Sequence, residues 1–586
     1  VCHPGRDAAL AGGARPHQAA PGRDDASSFP VERYPLADVE TRFADAWEAH
    51  SRAELTAILD HDDGAKRAAA RRRAEGAISA ASRALGRLQP PRGSGARSEE
   101  DRRAIAAMHE TLELLAAGGP AVSLAVETAA DRVDPRPAAM VLASDGLAAL
   151  LSRTTAEYTR AAEAVELDGR TVDRAEVLAR LATEPDEAER RRLFLSLEPL
   201  WRAVDADGGP GSPYRVAIQA SAAAWRRDGS PVDASARALG VEPAVVEPWL
   251  RAILEAWREV AVGAPVEPWD ERSASGAFDR ALDGEVSLEE LRRINDAWYA
   301  SLGADPVALG IHYDLAPRPG RGPVPVAFML DVDIPRRRGR GWTAGEQWVL
   351  ASYRRPSLPD LAELLHETGH AVHSRAIRAR PAFAVLPESM TTLIEALGDL
   401  AAWDLYEPDW QARWLGRRAS LEASLGRKYA DVVRDVAWSL FEIELHRAPG
   451  RAPNEVWTEL TGRYLGVIPH PEWSWWAIRG QLVQTPGYMV NYGLGAIVTA
   501  DLRARLRELR GDRPEGDRGW YAVVSEALYR WGAARDPGEV LRAFLGRPIS
   551  PEALIADLRR IGGGVNPAAS PPTRRPPPLR RAGSGR

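Results

Sequence analysis

Residues 361–378, LAELLHETGHAVHSRAIR, constrain the fold more than any other stretch of this chain. They carry His366, Glu367 and His370 in an H-E-x-x-H pattern. On a helix, residues four apart stand one above the other on one face. Two imidazoles so placed can bind one zinc ion, and the glutamate beside the first can reach a water there. The chemistry therefore needs a helix, and the local signals predict one. Ser357 and Asp360 have capping-box spacing, with Asp in place of the usual Glu or Gln, and Pro359 falls at an early helical position. Leu361, Leu365, Thr368 and Val372 recur at helical spacing and predict a buried face. Arg380-Pro381 is the expected stop.

A catalytic zinc site needs a third protein ligand and keeps a fourth position for water. Residues 387–405, PESMTTLIEALGDLAAWDL, form a second helical pattern with two candidates, Glu388 and Glu395. If the first helix ends near Arg380 and an antiparallel one begins near Pro387, the histidine turn lies roughly 15 Å back from the reversal at about 1.5 Å per residue. Glu395 lies a comparable distance along the returning helix, whereas Glu388 sits beside the reversal. The spacing thus favours Glu395. Asp399 comes one turn later on the same face and can accept the free ring N–H of His366, the partner a ligating histidine needs.

HETGHAVH resembles the H-E-x-G-H-x-x-H signature of the thimet oligopeptidase, neurolysin and oligoendopeptidase F family of zinc metallopeptidases, with Gly369 and His373 narrowing the match. EALGD, residues 395–399, is similar to the second metal helix of the wider glutamate-zincin group, including angiotensin-converting enzyme. The resemblance implies one Zn2+ per chain held by His366, His370 and Glu395, with Glu367 as catalytic base and Asp399 supporting His366. It also leaves a second register open. The oligopeptidases often carry two glutamates seven apart with the first as ligand, which here would be Glu388. The implied fold is mainly α, a two-lobed, neurolysin-like helical zincin with a small β-sheet before the metal-binding helix and a deep central channel. Such a channel admits short unfolded peptides.

Residues 469–501 contain Gly487-Tyr488 and Tyr492, followed by Gly493 and Gly495. They resemble the family segment whose tyrosine hydroxyls hold the oxyanion. Tyrosine suits that role because it donates while neutral at pH 7. The histidine usual just upstream is absent, and Gln481 and Gln484 stand nearby instead.

Residues 309–356 change character and read as strands divided by Pro/Gly turns, a small sheet leading into the metal helix. Residues 346–353 are the expected edge strand for an extended peptide. The run Arg336-Arg337-Arg338-Gly339-Arg340 reads as a solvated turn. Helical patterns are expected at 36–60, 65–88, 98–118, 155–167, 172–202 and 421–446, and His446 as structural or surface.

At 586 residues the chain can bury a large core. Residues 1–30 and 563–586 read as disordered tails, the second rich in Pro and Arg. Between them, 31–230 read as a helical N-terminal region and 231–562 as the catalytic region. Net charge is −6, with 76 basic and 82 acidic residues, which implies neither nucleic-acid nor membrane attraction. Cys2 is the single cysteine, and no apolar run has signal-peptide or membrane-span character. A cytoplasmic protein, monomer or simple homodimer, is expected. The function expected is a zinc metalloendopeptidase or oligopeptidase. Two rivals are a zinc-dependent hydrolase or tailoring enzyme for non-peptide amides on the same scaffold, and a non-catalytic peptide-binding protein.

Overall fold

Ala-, Leu- and Arg-rich segments with good helix propensity and frequent polar caps make most of this chain helical. The computed structural model describes residues 33–562 apart from 91–95, 118–135, 262, 283–285, 323, 325, 339–340 and 355. Both expected tails, 1–30 and 563–586, lie outside the described residues. Helices α1 (Leu36–Leu59), α2 (Gly64–Gly86) and α3 (Glu99–Ala116) follow the sequence patterns closely. Asp63 and Ser98 cap the second and third by accepting the amides of Lys66 and Asp101. Val39, Phe43, Ile78, Met108 and Leu112 form their shared core.

The patterns at 155–167 and 172–202 require correction. Between helix Leu147–Glu163 and helix Arg174–Thr183 lies a hairpin of β1 (Val165–Leu167) and β2 (Arg170–Val172). Its turn is Asp168-Gly169, both with positive φ, of 55° and 70°. Asp-Gly is a favoured pair for such a two-residue turn. Residues 174–205 then divide into three short helices.

A large hydrophobic cluster runs from Tyr158 to Ile561, with Trp298, Trp457, Trp476 and Trp520 fully buried in it, and it includes residues on both sides of position 230. The expected strand region forms β3 (His312–Asp314), β4 (Phe328–Asp333), β5 (Arg336–Arg338), β6 (Gly341–Thr343) and β7 (Glu346–Leu350). The three-stranded sheet has the order β3-β7-β4, with β7 parallel to β3 and antiparallel to β4. Side chains alternate across it, as the pleat requires. Leu330, Val332 and Leu350 pack on Leu55 of α1. Asp331, pointing to the other face, accepts from Ser374 at 3.1 Å and from Gln347 at 3.0 Å.

The arginine run is not a solvated turn throughout. Arg336 is buried in β5 and paired with Asp45, Glu48 and Asp333 at 2.7–3.0 Å, which ties α1 to the sheet. Arg337 is exposed. No helix among the described residues is long and apolar enough to cross a membrane.

Four later helices build the site: α4 (Leu358–Ala376), α5 (Thr391–Ala402), α6 (Leu421–Arg447) and α7 (Val490–Arg510).

Candidate active site

The α4 helix starts where its capping box predicts. The Ser357 amide donates to the Asp360 carboxylate at 2.7 Å, and Pro359 stands in the first turn. Its predicted face of Leu361, Leu365, Thr368 and Val372 is buried. Burial extends further, to Leu364, Ala371, His370 and His373, because neighbours cover the helix on several sides. Tyr299 donates to the Leu365 carbonyl at 2.6 Å, and Tyr313 lies 3.1 Å from the Thr368 hydroxyl.

After α4 the chain passes a short turn at Pro381–Ala384 and returns as α5. The two helices approach at two glycines. A Cβ built on Gly369 would stand 2.4 Å from the Gly398 carbonyl oxygen. Real Cβ atoms do not approach so closely, so the glycine in HETGH is what lets α5 come within reach.

That approach brings the expected residues together. His366 Nε2 lies 2.9 Å from His370 Nε2 and 3.5 Å from a Glu395 carboxylate oxygen. His366 Nδ1 lies 2.8 Å from Asp399. Burial lowers the His366 pKa, but Asp399, Glu395 and Glu367 outweigh it and hold it well above the usual histidine value. A cation at Nε2 would displace the proton there while Nδ1–H keeps its bond to Asp399. Glu367 reaches within 4.0 Å of the same Nε2, and ligand atoms of His366, Glu367 and His370 all lie within 4.8 Å of one another. Neither Glu395 nor Glu388 is in this group: Glu395 lies 3.5 Å from His366 Nε2, and Glu388 is exposed on a 3-10 turn before α5. His373 is buried elsewhere, against Tyr529. Burial lowers its pKa to about 4 and keeps it neutral.

Two imidazole nitrogens and a carboxylate oxygen converging at this spacing are the donor set of a four-coordinate divalent site with one position left open. The residues present therefore fit a metal ion. The electrostatics agree with that use. Burial works against charge on Glu395, but its hydrogen bond to His366 and the neighbouring imidazoles outweigh it and bring the pKa to about 2. His370 is pushed down to about 3 by burial and by His366, so it stays an unprotonated donor. Glu367 is pushed up to about 8 by burial; His366 opposes this and Glu395 and Glu363 add to it. A divalent cation alongside brings such a carboxyl back down.

The backbone N–H of Met329 in β4 faces Glu367 and works against the rise in its pKa. This corrects the expected edge strand. Residues 346–350 form β7, the central strand, paired on both sides. The edge strands of that sheet are β3 and β4, and on β4 the Asp331 carbonyl accepts from Trp47 of α1 at 2.9 Å. Strand-like composition alone did not distinguish β7 from β4, because both are apolar and flanked by turns.

Helix α7 crosses α5 at Glu395. A Cβ on Gly495 would stand 3.6 Å from the Thr392 carbonyl oxygen and 4.0 Å from Glu395 Cβ. Thr392 donates to the Asn491 side chain at 2.7 Å, which sets the register. The Tyr492 ring therefore lies within electrostatic reach of Glu395. Its hydroxyl is 3.4 Å from Gln481, and the Arg479 guanidinium lies 4.7 Å over its ring. Burial raises the Tyr492 pKa, Arg479 opposes this and Glu395 adds to it, so the hydroxyl stays a donor. Tyr488 is buried and packs edge-on against Tyr492 with centroids 5.5 Å apart.

The fold has known counterparts. PZ peptidase A, solved with an inhibitor, superposes with a TM-score of 0.56 at 13% identity over 92% of this chain and 98% of its own. The M32 carboxypeptidase of Deinococcus radiodurans R1 gives 0.53 at 14% identity over 90% and 98%. A protein described as an oligoendopeptidase F gives 0.51 at 16% identity over 91% and 97%. The chain thus shares the mainly helical fold, with small sheets, of these structures. No protein-family model and no curated protein matches it at the level of sequence.

Proposed function

We propose that this protein is a metal-dependent peptidase that hydrolyses short unfolded peptides, with zinc as its ion. The observation that carries the reading is the convergence of His366, His370 and Glu395 from two helices, with Glu367 and Asp399 at their margins. Glu395 is the better third ligand than Glu367, because it comes closer to His366 Nε2, at 3.5 Å against 4.0 Å. A zinc ion there supplies Lewis-acid polarisation of a carbonyl and a lowered pKa for water.

The chain's own groups do the rest. Glu367 takes a proton from the attacking water and returns it to the leaving amine. Asp399 holds His366 in the tautomer that leaves Nε2 free. Tyr488 or Tyr492 donates its hydroxyl to the carbonyl oxygen as negative charge grows there. The edge of β4 before Asp331, whose carbonyl Trp47 already holds, can take an extended peptide alongside Glu367. That favours extended substrates over folded ones.

The test is direct. Purified protein is assayed for metal by elemental analysis and for cleavage of a quenched fluorescent peptide library, before and after chelation. One zinc per chain with chelator-sensitive cleavage supports the reading. Stoichiometric zinc with no cleavage of any peptide would transfer the site to non-peptide amides, and a metal-free, inactive protein would leave only peptide binding.

A further inference from the structure

Tyr488 sits in a loop whose backbone is gripped from one side by α6. Glu442, a buried carboxylate in the middle of α6, accepts the amide of Gly487 at 2.7 Å with one oxygen and the amide of Met489 at 3.1 Å with the other. These two amides flank Tyr488. One turn earlier on α6, the Ser439 hydroxyl donates to the Met489 carbonyl at 2.7 Å. Three side-chain oxygen contacts therefore hold Gly487 and Met489, the two residues on either side of Tyr488.

The loop cannot relax outward either. Gly487 has φ of 91°, and a Cβ there would stand 2.6 Å from the Trp225 ring and 3.0 Å from Pro231. Trp225 is itself held, stacked on His446 of α6. Met489 is the N-cap of the 21-residue α7, so the carboxylate also sits at the positive end of that helix. The side-chain hydrogen bonds at both oxygens of Glu442 run to this loop. An acceptor this deeply buried costs free energy to desolvate, and spanning a single residue with both oxygens constrains that residue's backbone on each side.

We propose that Glu442 is a positioning residue for Tyr488: it clamps the Gly487 and Met489 amides so that the Tyr488 hydroxyl is held ready for the developing oxyanion. This rests on the reading of Tyr488 as an oxyanion donor. A displacement of about 1 Å in such a group is enough to cost about 100-fold in rate, which is why a rigid clamp matters more here than in an ordinary loop.

The test is a double-mutant cycle on the full chain. Tyr488→Phe is expected to lower kcat about 100-fold with little change in KM. Glu442→Leu removes both acceptors and is expected to lower kcat about 10-fold or more; Glu442→Gln keeps one acceptor and falls between. Metal content should be unchanged in all three. In the Tyr488→Phe background the Glu442 variants should have no further effect on kcat, while amide exchange at 487 and 489 should accelerate with either Glu442 variant in both backgrounds. If Glu442→Leu does not fold, Glu442→Gln and Ser439→Ala carry the same cycle. Equal losses of kcat in both backgrounds would make Glu442 purely structural and overturn the proposal. If Tyr488→Phe leaves kcat unchanged, the donor reading of Tyr488 fails first, and the positioning role falls with it.

Discussion

Gly398 lies directly against His370: a Cβ built on it would stand 2.6 Å from His370 Cε1 and 2.9 Å from its Nε2, with His366 Cε1 at 3.0 Å. The glycine of EALGD is thus the floor on which both imidazoles rest. Any side chain there takes the space of a ring.

Gly398→Ala is therefore expected to displace the imidazoles more than it unfolds the protein. The methyl should cost about 1–3 kcal/mol of stability as overpacking. Metal affinity, measured by competition with a chelator, should fall about 10-fold or more, as when a ligand's support is disturbed. Gly369→Ala meets backbone rather than ring atoms, so thermal unfolding should record the larger loss there.

The two glutamates that the sequence left in competition can be separated by titration. Glu395→Gln should abolish stoichiometric metal binding, since its carboxylate is the one beside His366 Nε2. Glu388→Gln, at an exposed position outside the cluster, should leave binding within about twofold, the scale of a neutral surface change.

Asp399→Asn keeps the shape but removes the charge that His366 Nδ1 faces at 2.8 Å. The expected loss in metal affinity is about 10–100-fold. An unchanged affinity by isothermal titration would show that Asp399 does not set the tautomer.

Glu367→Gln should retain the metal and lose about 100- to 10,000-fold in peptide hydrolysis, the scale of a general base. Elemental analysis and single-turnover cleavage check the two halves of that statement independently.

Part of the acid lability should trace to a histidine outside the site, His446, alongside His373. His446 is buried, bonded to the Glu442 carbonyl at 2.7 Å and to Ser221 at 3.0 Å, and burial lowers its pKa to about 4. Its folded value lies below the unfolded one of about 6.5, so the unfolded chain binds the extra proton in between. Stability from this group is complete above about pH 6.5 and is lost as pH falls toward about 4, on the order of 3 kcal/mol. The slope of the melting temperature over that range should flatten in His446→Gln.

Local signals determined helices α4 and α5. Hydrogen bonding along a helix is set by near neighbours, so the capping pair Ser357 and Asp360, the four-residue histidine spacing and the apolar period could all be read before any contact was known. The height of Glu395 against the histidines followed from the rise per residue. The Asp168-Gly169 turn is equally local, but its alanine- and arginine-rich neighbours carry helical spacing on both sides of it.

What lay beyond the sequence were facts about surfaces meeting. Whether 346–350 is an edge or a centre depends on what pairs with its other side, and β3 supplies that from more than thirty residues away. Arg336 is buried because α1 brings Asp45 and Glu48 to it. The closeness of Gly369 and Gly398, and the grip of Glu442 on the tyrosine loop, likewise exist only once distant helices pack. Helical periodicity is a property of one segment, whereas coordination, edge exposure and clamping are properties of pairs, and pairs are decided by tertiary packing.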